Sequence, residues 1–181
     1  MLALPAPLRE AIDARGSGLT ALVLRLGAMG DIVRTLPAVR LVRAGLPESR
    51  IYWVAWKPWD KILDGHADLD GVIALPRSAL RALARSPRGW LALARAISGI
   101  ARQLRAREPG LVLDFHGDLR TGLLGRASGA PVRLGYAGHQ QKEGNRFLTT
   151  HRVAAGDRRT PRLERNLALV GALGLPDRPI P

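Results

Sequence analysis

A chain of 181 residues is long enough to bury one domain-sized core, and its 46% apolar content is ordinary for a globular protein. It has no cysteine, which excludes a disulfide framework and a thiolate metal site, and its longest apolar runs fall short of the roughly 20 residues of a membrane span. The formal charge of +13 is carried almost wholly by arginine, which suits bidentate pairing with phosphate and carboxylate and points to an anionic partner.

Residues 1–18 read as a leader with a short helix around Leu8–Ala14. Pro5, Pro7, Arg9, Glu10 and Asp13 interrupt any signal-peptide core. From Leu19 a mostly apolar run predicts a strand buried on both faces. Gly27 and Gly30 break that run, Asp31 follows at once, and behind it Ile32, Leu36, Val39, Val42 and Leu46 show helix-like patterning, with the helix expected to run to about Ala44. Pro37 is expected to kink this helix or delay its start, and Gly45 and Pro47 to end it. Strand, glycine turn and helix are the first half of a βαβ unit, with the turn at the strand's carboxyl end, where open α/β sheets bind ligands. The spacing is G-x-x-G-D, so it is neither the dinucleotide fingerprint nor a P-loop. Two readings of Asp31 stay open on spacing alone: a helix cap, and a site acid held at the rim.

Arg50–Ala55 predicts a second strand, followed by a turn at Trp56–Trp59 and a short helix to about Leu63. Asp64, His66, Asp68 and Asp70 are read as a polar loop rather than a metal run, because no Glu closes an EF-hand-like pattern. Gly71–Leu75 is a third strand. Pro76–Arg107 contains eight arginines and no acid, and Pro87 and Gly89 split it into a short and a long helix. Arg77, Arg81 and Arg85 share one helix face, either as a solvated surface or as a wall that grips an anion. Trp90 is the one aromatic among these charges, which argues against a nucleic-acid interface.

Leu111–Phe115 predicts a fourth strand, ending in the polar turn Asp114–Arg120 and a helix to about Ala127. His116 is open to three readings: a base, a substrate donor, or a packed loop histidine. Val132–Tyr136 is a fifth strand, Gly138–Leu148 a mobile loop beside the site, and Arg152–Ala154 a short edge strand. Thr160–Leu173 reads as an amphipathic helix with Thr160 as N-cap, Pro161 at its first position and Gly174 at its end. Residues 175–181 have linker composition. The alternation of strands and helices predicts an α/β fold, a Rossmann-like doubly wound parallel sheet over residues 19–174.

Four stretches resemble glycosyltransferase family 9, the ADP-heptose:lipopolysaccharide heptosyltransferases. They are Arg25–Asp31 with Thr35–Ala38 behind it, Asp114-x-x-Gly117 with Leu119-Arg120, Ser128–Tyr136, and Glu164–Leu169. They occur in the family's order across about residues 20–175. The resemblance implies the N-terminal half of a GT-B glycosyltransferase: an acceptor-binding domain whose partner domain holds the nucleotide sugar and is absent from this sequence. It implies an inverting, metal-independent transfer of heptose from ADP-heptose to a lipid A–Kdo-type glycolipid, with Asp31 as general base. The same resemblance assigns acceptor contacts to Gly27, Ala28, Met29 and Gly30 of the turn, to Arg77 and Arg81, and to His116, Gly117 and Arg120. His116 stands where the family often has Gln. A cytoplasmic protein peripheral to the inner membrane is the implied setting, since a basic surface is drawn to an anionic leaflet. The alternative is a freestanding, non-catalytic Rossmann-like module that binds an anionic glycolipid or nucleotide.

Overall fold

Among the described residues six strands, β1 (Thr20–Leu24), β2 (Arg50–Trp56), β3 (Gly71–Leu75), β4 (Leu111–Asp114), β5 (Val132–Tyr136) and β6 (His151–Val153), form one sheet in the order β3-β2-β1-β4-β5-β6. Every neighbouring pair is parallel. The structure, a computed structural model, describes residues 18–175. The predicted leader and linker therefore lie outside the described residues except at Gly18 and Leu175. Leu175 packs against the core and lies so close to Gly45 that a Cβ there would meet its Cδ2 at 2.8 Å.

Among the described residues six α-helices flank the sheet: α1 (Met29–Val33), α2 (Leu36–Gly45), α3 (Arg77–Ala84), α4 (Trp90–Arg105), α5 (Leu119–Ala127) and α6 (Arg162–Gly171). Every residue of β1 and β4 is buried, which is why these segments read as continuous apolar runs. Alternation along β1 sends Ala21 and Val23 to a core shared with α2 and α6, and Leu22 and Leu24 to a second core shared with α4 and α5. Helices thus cover both faces, and the doubly wound class expected from the sequence is borne out.

Pro37 acts by delay rather than by kinking. The chain breaks at Arg34–Thr35 and restarts as α2 with Pro37 in its first turn, where a missing N–H leaves no bond unmade. The carbonyls freed at the break find partners: the Thr35 hydroxyl donates to Asp31 O (2.7 Å) and the Asn166 amide of α6 to Arg34 O (2.9 Å). At the other predicted cap, α6 begins at Arg162 with Pro161 preceding it, and Thr160 instead donates to Asp157 Oδ1 at 3.1 Å. In the polar loop before β3, Asp70 braces the sheet: it accepts from Ile51 N (2.7 Å) and pairs with Arg43. Among the described residues no group of three or more His, Cys, Asp or Glu side chains gathers where it would hold a metal ion, and no helix is long and apolar enough to cross a membrane.

Candidate functional site

The strand order reverses between β1 and β4, and the crevice at the carboxyl ends of those strands is where this fold class binds ligands. The register sets the two strand ends level. Leu24 lies opposite Asp114, and Phe115 N donates to Leu24 O at 3.1 Å. Arg25, the next residue of the chain, is 3% exposed and donates to Phe115 O from the same guanidinium that pairs with Asp31 Oδ2. Burial lowers the Arg25 guanidinium from its ordinary value, and the Asp31 carboxylate opposes that shift.

Asp31 sits in the first turn of α1, but it is not the cap. Ala28 occupies that position, and its carbonyl accepts from Asp31 N at 3.0 Å. The carboxylate faces arginines instead. Oδ2 pairs with Arg25 and with Arg162 of α6 (2.9 Å), while among the described residues Oδ1 meets only Arg34, at 3.9 Å. With a quarter of its side chain exposed, Asp31 is held on one oxygen and open on the other. The turn beneath it needs glycine: Gly27 has φ +149° and a Cβ there would lie 2.7 Å from Trp59 Cδ1.

Beside this acid a polar pocket of about 230 Å³ is lined by Arg25, His116, Tyr136, Lys142, Arg162 and Arg165, among others. His116 and Gly117 lie in the turn after β4 and are held by Asp114, whose Oδ1 accepts from both backbone N–H groups at 3.0 and 2.9 Å. Its Oδ2 accepts from the Thr121 hydroxyl (3.0 Å) and the Asn145 amide (2.8 Å). Burial raises the Asp114 carboxyl above its usual range against the pull of those four donors. Asp118 shows the opposite balance. Burial again raises it, but donors from His116, Thr121 and Arg120 overcome that and leave it well below the carboxylate range. The Tyr136 phenol, pushed up by burial, donates to Asn166 Oδ1 at 2.6 Å and so ties the end of β5 to α6.

The ten residues singled out from sequence fall into two groups. Gly27–Asp31, His116 and Gly117 converge on the crevice at β1 and β4. Arg77, Arg81 and Arg120 instead line a separate cavity between α3, α4 and α5, which shares no lining residue with the polar pocket. Asp118 stands between the groups, accepting from Arg120 Nε (2.8 Å) and lying 3.4 Å from His116 Nε2. The loop over Gly138–Leu148 does border the crevice, through His139, Gln140 and Lys142, but Asn145 anchors it to Asp114 and to Asp118 O (2.6 Å).

Sequence reasoning missed Arg162, Tyr136, Asn145 and Asn166 as site-building residues. Arg25 carried a usable signal: a charge that ends a buried strand must be paired. Arg162 carried none, since its partner lies 131 positions away.

No protein-family profile matches this sequence, and no curated protein does. Solved structures do. Escherichia coli heptosyltransferase WaaC bound to ADP-2-deoxy-2-fluoro heptose is similar at a TM-score of 0.75 and 19% identity, over 90% of this chain and 51% of that one. A glycosyl transferase family 9 protein from Veillonella parvula is similar at 0.68 and 18% identity, over 88% of this chain and 42% of that one. The E. coli ADP-heptose lps heptosyltransferase II is similar at 0.65 and 18%, over 90% and 45%. The chain therefore spans about half the length of the structures it matches, and the resemblance to glycosyltransferase family 9 stated from its motifs holds in the fold: this chain folds like about half of a family 9 heptosyltransferase.

Proposed function

We propose that this chain is the acceptor-binding half of an inverting GT-B glycosyltransferase that moves heptose from ADP-heptose to a lipid A–Kdo-type glycolipid. The observation that carries this reading is the setting of Asp31. Its carboxylate is fixed through Oδ2 by Arg25 and Arg162 at the topological switch point, and among the described residues its Oδ1 has no partner nearer than Arg34 at 3.9 Å. A general base must reach the proton it removes, and a rigid strand-turn-helix rim holds it in place. Oδ1 takes the proton of the acceptor hydroxyl as that oxygen attacks the anomeric carbon. The bond from that carbon to the diphosphate oxygen breaks, its electron pair leaves with ADP, and attack from the opposite face inverts the centre. His116 and the backbone of Gly27–Gly30 and Gly117 line the acceptor's approach. Arg77, Arg81 and Arg120 pair with its phosphates and carboxylates. The nucleotide sugar is held mainly by a second domain, and the basic surface rests against the anionic cytoplasmic face of the inner membrane.

The test is Asp31→Asn in a protein that carries both domains, assayed by ADP release. The expected outcome is a fall in kcat of about 10²–10⁴-fold, with substrate KM values and thermal midpoint near wild type. Turnover within about tenfold of wild type removes Asp31 from the chemistry.

A further inference from the structure

The cavity between α3, α4 and α5 has a volume of about 660 Å³ and apolar walls that include Leu75, Leu80, Leu93, Ile97, Ile100 and Leu124. That volume lies within the roughly 300–1,000 Å³ of small-molecule sites. The helices around it are packed in an unusual way. α3 buries none of its residues, and the sixteen-residue α4 buries only Leu104. Both carry apolar residues at helical spacing, and such a stripe normally closes onto a core. Here the stripes face the cavity, so apolar volume is missing between them.

The lining of the cavity also carries cations. Arg77, Arg81 and Arg120 line it, and Arg77 and Arg81 also border an adjoining hollow with Lys57 and Arg85. Arg120 is engaged by Asp118, but neither Arg77 nor Arg81 forms an ion pair with any described residue. No acid occurs anywhere from Pro76 to Arg107. Free cations beside an apolar chamber match one ligand chemistry: an acyl chain that carries an anionic head. A bare anion or a nucleic acid would use the arginines and leave the apolar walls bare.

We propose that this cavity binds one acyl chain of an anionic lipid drawn from a bilayer surface. The chain lies among Leu80, Leu93, Ile97 and Ile100, and the head pairs with Arg77 and Arg81. The inference shares those two arginines with the acceptor reading above, but it needs nothing of Asp31.

The test titrates the full chain with hexyl, octyl and decyl phosphate below their micellar concentrations, with inorganic phosphate and decyl maltoside as controls. Trp56, which lines the cavity, gives a fluorescence signal. Affinity should rise about three- to fourfold per added methylene. The Arg77→Ala/Arg81→Ala double variant should lose the preference for decyl phosphate over decyl maltoside. Ile97→Gln, at a position 53% exposed and so compatible with folding, should flatten the chain-length dependence, and Ala84→Trp should do the same by filling the chamber. Asp31→Asn should bind as wild type does, so failure of the transfer reading would leave this result standing. Sedimentation with phosphatidylglycerol vesicles should carry down the wild type and leave Ile97→Gln in solution. The proposal is overturned if inorganic phosphate binds as well as decyl phosphate, if neither cavity variant changes the titration, or if decyl phosphate binds but the vesicles do not. A dimer through α3 and α4 that excludes the amphiphile would overturn it too.

Discussion

Asp114 never reaches the pocket surface, yet the site is built on it. Four donors from three places in the chain converge on this one carboxylate, and each positions something: the His116 and Gly117 turn, the start of α5 through Thr121, and the 138–148 loop through Asn145. Asn145→Ala should therefore cost more than an ordinary surface change. It removes the donors to Asp114 and to Asp118 O and leaves a buried acceptor short of a partner, a loss of about 2–3 kcal/mol measurable by urea unfolding. A change below about 0.5 kcal/mol would show that the loop is not anchored there. Asp118 makes a pH prediction with a definite sign. Its carboxyl is depressed in the fold, so its stabilisation is present above the unfolded carboxyl value near 3.8 and is lost as pH falls below it. Asp114, raised by burial, works the other way and favours the fold at the acid side. Asp118→Asn should then lower stability at neutral pH and flatten its fall below about pH 4. An acid limb as steep as the wild type's would assign that limb to other carboxylates.

At the scale of elements, turns at the carboxyl edge do the positioning. Gly117 has φ +76°, and a Cβ on it would lie 2.9 Å from Gln140 O. Gly117→Ala must pay left-handed strain of about 1–2 kcal/mol and push the 138–148 loop away. Because Lys142 N donates to Gly117 O at 2.8 Å, the expected outcome is faster amide exchange at Lys142 together with a lower unfolding midpoint. Unchanged exchange at that amide would mean that the loop follows the turn without strain. α6 shows how one helix serves two purposes. Asn166 bonds the backbone break between α1 and α2 as well as the Tyr136 phenol, and four residues earlier Arg162 reaches Asp31. The helix that closes one face of the sheet also brings the second arginine to the acid.

The whole molecule carries +13, and much of that charge is concentrated in the acid-free stretch over α3 and α4. Like charges repel in the compact state, and salt shortens their reach from about 30 Å at 0.01 M to about 8 Å at 0.15 M. The thermal midpoint should accordingly rise by a few degrees between those concentrations. A midpoint that falls with salt would mean that the paired arginines outweigh the unpaired ones. The same charge distribution sets two regions apart: a polar crevice around Asp31 at the carboxyl edge of the sheet, and an arginine-edged apolar chamber between α3, α4 and α5.

The strands and most helix limits were legible in the residues, because each depends on a local cause: burial of a continuous apolar run, the 3.6-residue period, or a glycine or proline that stops it. Parallel pairing followed from the alternation of strands with helices, since a helical crossover returns the chain in the same direction. The position of Asp31 at the end of β1 followed from the same local causes. Its guanidinium partner from α6 did not, nor did the anchoring of the 138–148 loop on Asp114 or the separation of Arg77 and Arg81 from the Asp31 pocket. Those are meetings of polar groups far apart in the chain. An arginine looks the same in sequence whether solvent or a carboxylate faces it, so only the folding of the sheet and the closure of α6 over it decide which charges pair and which stay free.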